Sequence, residues 1–444
     1  VLVKPRRPWV CERPTALELN DRSPLSCLPK RGPVSEQRTR LLVVKAAMTV
    51  NGGAARDLMR NLPCIAERFE VRFACLNLLD SQRKTLLSSG IQILEPFYQW
   101  QPGGGLLNEI TAGQERSAAA AWKEHEAALA AIEWADAIHL TGGSGSMEFP
   151  AFVPADKPLH LHFLESKPGI HDDISHLDPD GSGGWRPGLM HLLQSRQRAR
   201  IEKSFRGFAD NQNWSVSANS GFSARNLHRI YGIKGGVLYP SVDLTEFSSE
   251  PSFGERDAFD AMGLGEIASY AVTVGRMSRF KGTYEAVEHL AGSGLGLVVI
   301  GGGKGGENAA LRDYGDKVGV AVRVLSGIDS ESMRAVMRNS AAIIGLAHGE
   351  AFGLTPIEAM ALGVPPVFVN EGGYTETIVD QFNGRLVERG DVEAWHRALE
   401  QASDPGTRER WAHNGLARIE ELGLTPQEHA ERLYSIVNSD ELQQ

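Results

Sequence analysis

The chain has 444 residues, 42% apolar and 23% charged, which suits about two or three packed domains and excludes wholesale disorder. Acidic residues outnumber basic ones by 55 to 46, and the net charge of −9 disfavours general nucleic-acid binding, which needs clustered Lys and Arg against phosphate. No apolar run is long enough for a bilayer-spanning helix, and Cys11, Cys27, Cys64 and Cys75 show no Cys-x-x-Cys spacing, so a disulfide scaffold or zinc site is not expected and a reducing, cytoplasmic setting is.

Residues 1–40 carry nine Lys/Arg, four Asp/Glu and six prolines without a helical period or an apolar signal core. They read as a disordered tail or an extraneous extension. Order is expected from Leu41. The run 41–48 reads as a strand buried on both faces, Asn51-Gly52-Gly53 punctuates it, and Ala54 to Leu62 reads as a helix. Strands follow at 71–78, 137–140, 159–164 and 214–218, with helices at 122–133 and near 189–207. The second half repeats the pattern, with strands at 269–274, 297–300, 322–325, 342–346 and 366–369. Strands alternating with helices predict parallel sheets covered on both faces. The least patterned stretch, 241–267, reads as a linker.

The densest chemistry lies in His348-Gly349-Glu350-Ala351-Phe352-Gly353-Leu354-Thr355-Pro356-Ile357-Glu358. It follows an apolar strand, so it belongs at a strand's carboxyl end, where open α/β sheets bind ligands. Thr355, Pro356 and Glu358 fit a helix start with a capping box. The break at Gly353 and Pro356 lets Glu350 and Glu358 face one ligand. The N–H groups of Gly353, Leu354 and Thr355, with the helix dipole, suit an anion such as a phosphate.

The spacing Glu350-x7-Glu358 and its Phe-Gly-Leu and Glu-Ala-Met-Ala context resemble the signature of family 4 retaining glycosyltransferases. Further blocks agree in chain order: Gly52-Gly53-Ala54-Ala55, Ser217 to Phe222, Tyr239-Pro240-Ser241-Val242-Asp243, Val274-Gly275-Arg276 with Lys281-Gly282, and Glu371-Gly372-Gly373-Tyr374-Thr375-Glu376. The resemblance implies an α/β GT-B architecture, two Rossmann-like doubly wound domains facing across a cleft. It divides the chain into an acceptor-side domain at 41–243 and a donor-binding domain at 244–424, with a last helix near 425–440 packing back on the first. It implies a nucleoside-diphosphate sugar as donor, transfer with retention, front-face attack assisted by the departing phosphate, and neither metal nor other cofactor. The acceptor is left open among small molecules, glycans and lipid-linked compounds.

By matching position, Arg276 and Lys281 would neutralise the diphosphate, and Glu350 would contact the sugar. Glu358 would accept from the ribose hydroxyls, and Gly52 and Gly53 would let backbone approach the donor. Gly353, Leu354 and Thr355 would supply N–H groups to it. Each has a plainer counterpart: Glu358 closing the capping box, Arg276 and Lys281 as solvated charges, Glu350 as a loop carboxylate, and the glycine pair as a tight turn. His160 and His162 share a face of the 159–164 strand. The family often has a histidine near this strand end, and His162 is the candidate for a sugar or acceptor contact, against a structural role.

Other signals are weaker. Gly301-Gly302-Gly303-Lys304-Gly305-Gly306 lacks the acid that a dinucleotide site needs about 20 residues on. Asp178-Pro179-Asp180 is a metal motif of a different fold and has no strand before it. The segment 192–206 is a basic amphipathic helix, by default a solvated face and otherwise a contact for a membrane surface. Phe97-Tyr98-Gln99-Trp100 reads as ordinary packing or an acceptor wall. Two other functions fit the motifs less well: a different GT-B enzyme such as a nucleotide-sugar epimerase, or a non-catalytic nucleotide-sugar-binding subunit.

Overall fold

The computed structural model describes residues 38–48, 53–103, 108, 111–166, 170–172, 174–248 and 250–439. The expectations for 1–37 and for Gly52 fall outside the described residues. Two parallel sheets organise the rest. The first runs β3-β2-β1-β4-β5-β6-β7, built from β1 (Arg40–Val44), β2 (Glu70–Ala74), β3 (Gln92–Leu94), β4 (Ala137–Thr141), β5 (Leu159–Phe163), β6 (Trp214–Ala218) and β7 (Gly236–Val237). The second runs β10-β9-β8-β11-β12-β13, from β8 (Tyr270–Arg276), β9 (Gly296–Gly302), β10 (Val322–Leu325), β11 (Ala342–Gly345), β12 (Pro366–Val369) and β13 (Arg385–Val387). Each is doubly wound, with its order reversing between the first and fourth strands. Ligand crevices in such sheets open at that reversal, here beyond β1 and β4 and beyond β8 and β11.

The strands expected from apolar runs are present, and the short edge strands β3, β7 and β13 are additional. The first helix, α1 (Gly53–Arg68), runs past Pro63, where a proline would ordinarily end it. Burial outweighs the lost hydrogen bond: Leu58, Leu62 and Ile65 pack in one core with Ala430, Leu433 and Val437 of the C-terminal helix (Pro426–Val437). That helix therefore lies on the first lobe. The helix expected at 122–133 breaks at His125, whose ring accepts from the Ala128 N–H. The helix near 189–207 is two, Arg186–Leu193 and Ser195–Asp210. The stretch 241–267 is not a bare linker. It holds the helix Glu255–Ala261, and Val242 and Phe247 are fully buried.

Candidate functional site

The carboxyl edges of the two sheets meet. The helix α2 (Gly221–Tyr231) follows β6, and its N-terminus is capped from the other lobe: the Gly221 and Phe222 N–H groups donate to the Glu376 carboxylate at 2.8 and 2.6 Å. Ser220 Oγ donates to the Ala351 carbonyl at 2.5 Å. The Ser223 hydroxyl lies 3.3 Å from both the Ala351 and Leu164 carbonyls, which brings the end of β5 against the loop after β11. Gly53, at the start of α1, faces Leu354, and a Cβ there would sit 3.1 Å from the leucine side chain. The two halves of the expected donor site are therefore apposed across the cleft.

Lys281 and Glu350 form the centre of that site, with Nζ 2.5 Å from Oε2. Burial would lower the lysine's pKa, but Glu350 and Glu165 outweigh it and the ammonium is held above its ordinary value. The lysine stem lies against Gly275, whose φ of +139° and open α-carbon give it room. Arg276 ends β8 with its side chain exposed and makes no hydrogen bond or ion pair among the described residues.

Behind this pair lies an ion network that sequence spacing did not reveal. Glu285 meets Arg279 at 2.9 Å, Arg389 at 3.0 Å and His348 Nε2 at 3.1 Å. Burial alone would raise its carboxyl; His348, Arg389 and Arg279 reverse that and keep it below the usual glutamate value. The network clamps the turn bearing Lys281 to the loop bearing Glu350, helped by the His348 N–H to Phe280 O bond of 2.8 Å. From the other side Gly372 and Gly373 press on the backbone of Glu350 and Ala351, where a Cβ would collide.

The helix α3 (Leu354–Ala361) corrects the capping-box expectation. Its N-cap is Gly353 at φ +86°, not Thr355, and no side chain caps it. Gly353 is pressed against the Tyr374 ring, which leaves no space for a larger residue. Glu358 therefore falls in the second turn and turns inward, 1% exposed. Its Oε1 lies 3.6 Å from Arg56 Nη2 and has no hydrogen bond. Burial raises its pKa, partly offset by Arg56 and Arg60. Arg56 also lines an open cavity of about 870 Å³ with Arg60, Glu246 and Ser330, beside this carboxylate. Thr355 and Leu354 sit in the first turn of α3 beside Gly353, where helix N–H groups are unpaired by the helix itself.

His162 does not join this group. It is 2% exposed, and its Nε2 meets the Leu238 carbonyl at 3.0 Å. It belongs to a buried cluster with His139, His160 and His429: His139 and His160 meet through Nδ1 atoms 2.9 Å apart, and the His162 and His429 ring centres are 5.7 Å apart. Burial is the first cause that drives all four pKa values down, to about 3 for His160. The residue that the β5 end does bring toward the centre is Glu165, three positions on. It faces the cleft with solvent access, and crowding by protein, then the Glu350 charge, raise it to about 7 against the opposing pull of Lys281. Its signal in the sequence was only its place just beyond a strand end.

Residues 258–418 match the family described as Glycosyl transferases group 1. The chain is similar to the D-inositol 3-phosphate glycosyltransferase of Jonesia denitrificans, 28% identical over 272 residues that make up 53% of this chain and 64% of that protein. It is similar to the protein of the same name from Xylanimonas cellulosilytica, 33% identical over 223 residues, 47% of this chain and 53% of that one. The chain thus spans about half the length of the curated relatives it matches. Among solved structures, Anabaena HepE in complex with UDP-glucose matches with a TM-score of 0.64 at 16% identity, covering 90% of this chain and all of that one. Sucrose-phosphate synthase from Thermosynechococcus elongatus gives the same TM-score and identity, covering 90% and 98%. These likenesses, with the two doubly wound sheets and their apposed edges, establish a GT-B fold whose second lobe carries the group 1 glycosyl transferase pattern.

Proposed function

We propose that the chain transfers a hexosyl group from a nucleoside-diphosphate sugar to an acceptor hydroxyl, with retention and without a metal ion. One observation carries the reading. The Lys281–Glu350 pair and the N-terminus of α3 lie at the carboxyl edge of the second sheet, where its order reverses, and Arg276 is exposed at the end of β8 on the same edge. The Lys281 ammonium has three donors and spends one on Glu350, so two remain for diphosphate oxygens. Charge that develops on the departing diphosphate meets Arg276, Lys281 and the helix terminus already aimed at it, which is how a fixed site lowers such a barrier. Those cations supply the role a metal would otherwise fill. Glu358, buried with an oxygen to spare, accepts from the ribose hydroxyls. Glu350 holds the sugar and positions Lys281. Gly53, Gly353, Leu354 and Thr355 contribute backbone.

The relatives' name, D-inositol 3-phosphate glycosyltransferase, supports a small polyol phosphate as the first acceptor to try, and the HepE complex supports a uridine nucleotide as the first donor. The test is calorimetry with UDP and UDP-glucose, followed by product analysis with inositol 3-phosphate and a wider acceptor panel. Binding of a nucleotide sugar and a product with the donor's anomeric configuration are expected. An inverted product would end the claim of retention, and failure of every nucleotide sugar to bind would end the reading itself.

A further inference from the structure

Sugar transfer leaves one proton to be placed, because the acceptor hydroxyl gives up its hydrogen as its oxygen bonds to the sugar. A group that takes it has to be a free base on the acceptor side of the cleft. The other carboxylates around the meeting edges are committed. Glu350 holds Lys281, Glu371 holds Arg389, and Glu285 holds Arg279, Arg389 and His348. Glu376 caps α2, and Glu358 is buried beside Arg56. Glu165 is exposed and has no hydrogen bond or ion pair among the described residues.

The backbone sets its place. Glu165 stands two residues past the end of β5, which pairs with β4 beside the order reversal of the first sheet. One hydroxyl ties that strand end to the other lobe. Ser223 Oγ lies 3.3 Å from the Leu164 carbonyl, which leads into Glu165, and 3.3 Å from the Ala351 carbonyl, next to Glu350. The charges that act on Glu165 are Glu350, Lys281 and Asp172. Crowding by protein, then Glu350, with a smaller push from Asp172, hold its carboxyl at about 7 against the pull of Lys281. The Lys281 ammonium is already engaged by Glu350 at 2.5 Å. A carboxylate poised near neutral pH both takes a proton during a reaction and returns it to water afterwards.

We propose that Glu165 is the general base of the transfer and accepts the proton of the acceptor hydroxyl from the first-lobe side of the cleft. The inference rests on the transferase reading and goes beyond it by naming where that proton goes. The acceptor oxygen bonds to the anomeric carbon, and the bond from that carbon to the diphosphate oxygen breaks. The electron pair of the broken bond leaves with the diphosphate toward Lys281 and Arg276. The hydroxyl proton passes to a Glu165 oxygen, and water takes it once the product has gone. A diphosphate oxygen is the competing acceptor of that proton, but Lys281, Arg276 and the α3 terminus stabilise its charge and make it the weaker base. The first lobe then supplies the base and the second the charge that receives the leaving group, so neither sheet edge completes the site alone.

The test follows UDP release from UDP-glucose by the full chain across neutral pH, with water alone as acceptor and then with inositol 3-phosphate. Wild-type kcat should rise with pH through about 7 to a plateau, as the carboxylate loses its proton. Glu165→Gln should lower the plateau at least about 100-fold and flatten the rise, with the melting temperature and the calorimetric affinity for UDP unchanged. Glu165→Asp keeps the carboxylate and should keep the rise at an intermediate rate. A Glu165→Gln variant that turns over like the wild type overturns the proposal. So does a slowed variant that keeps the wild-type pH profile, which would leave Glu165 a positioning residue, or one whose loss of rate is matched by its loss of UDP affinity. A wild type that releases no UDP under either condition is a different result: it ends the transfer reading, and this inference with it.

Discussion

The two lobes have sheets of the same winding, yet their carboxyl edges are furnished in opposite ways. Beyond β8 and β11 the edge is ionic: Lys281, Glu350, Glu285, His348, Arg279 and Arg389 pair in turn, and Arg276 is left free among the described residues. In the first lobe the titratable groups are buried, and they meet backbone carbonyls and one another rather than opposite charges. His139, His160 and His162 sit inside the sheet, and burial drives the pKa of Lys45, at the end of β1, down to about 8. The same topology therefore offers a place for a ligand twice, and the proposed function assigns the diphosphate to the ionic second edge. The first edge contributes shape and a carboxylate, Glu165.

The sharpest way to break that contrast is to remove its charge. Lys281→Ala should lower turnover at least about tenfold, and Arg276→Ala similarly, while both variants melt like the wild type. Transfer at the wild-type rate in both would remove the assignment of the ionic edge to the diphosphate. A next effect concerns how that edge is held. Gly282 has φ +64°, and a Cβ there would run into the Leu346 carbonyl. Gly282→Ala should cost about 2–3 kcal/mol in urea unfolding, from backbone strain and collision together; an unchanged midpoint would show that the Lys281 turn is not so fixed.

The histidine edge predicts a pH effect with a definite sign. An imidazole in the unfolded chain takes a proton near 6.5, whereas His160 takes one only near 3 when folded. Between those values the unfolded state binds more protons, so this stability is complete above about pH 6.5 and falls as pH drops toward 3, by roughly 1 kcal/mol per pH unit for each such histidine. The groups that face the cluster are Lys45, Asp57 and Arg432 besides the histidines themselves. Urea midpoints at pH 7.5 and about 5.5 would check this, and equal midpoints would mean that the rings are not held neutral.

Smaller effects test the contact between the lobes. Glu376→Ala removes the cap on two N–H groups of α2 and should cost about 1–2 kcal/mol, with a rise in donor KM larger than the change in kcat. Smallest in stability is Glu358→Gln. The buried Oε1 has no hydrogen bond and only a 3.6 Å ion pair with the exposed Arg56 guanidinium to lose, so the amide should melt within about 1 kcal/mol of wild type while donor KM rises. An unchanged KM would leave Glu358 as a structural side chain.

Much of the ionic edge was legible because its residues cluster along the chain. The loop 348–358 is one stretch, and Arg276 and Lys281 are five positions apart. The clamp behind it was not, since Glu285 and Arg389 are 104 positions apart and meet only when β8, β11, β12 and β13 line up in one sheet. The place of the histidines was open for the same reason. Alternation places His160 and His162 on one face of β5, but whether that face meets a cleft or a core depends on β4 and the C-terminal helix, which brings in His429. Edge strands of two or three residues carry too few side chains for a period to show.

The sequence alone determined the strand-and-helix alternation, the parallel sheets and the clustering of glycines and charged residues at the end of the second sheet, because strands buried on both faces must be apolar runs and those residues lie close together in the chain. Tertiary structure alone decided that Glu358 is drawn inward with an oxygen that has no hydrogen bond, that His162 is sealed in a core, and that Glu165 shares the electrostatic surroundings of Lys281 and Glu350. Those outcomes depend on burial and on charges from distant segments, and neither is a property of local sequence.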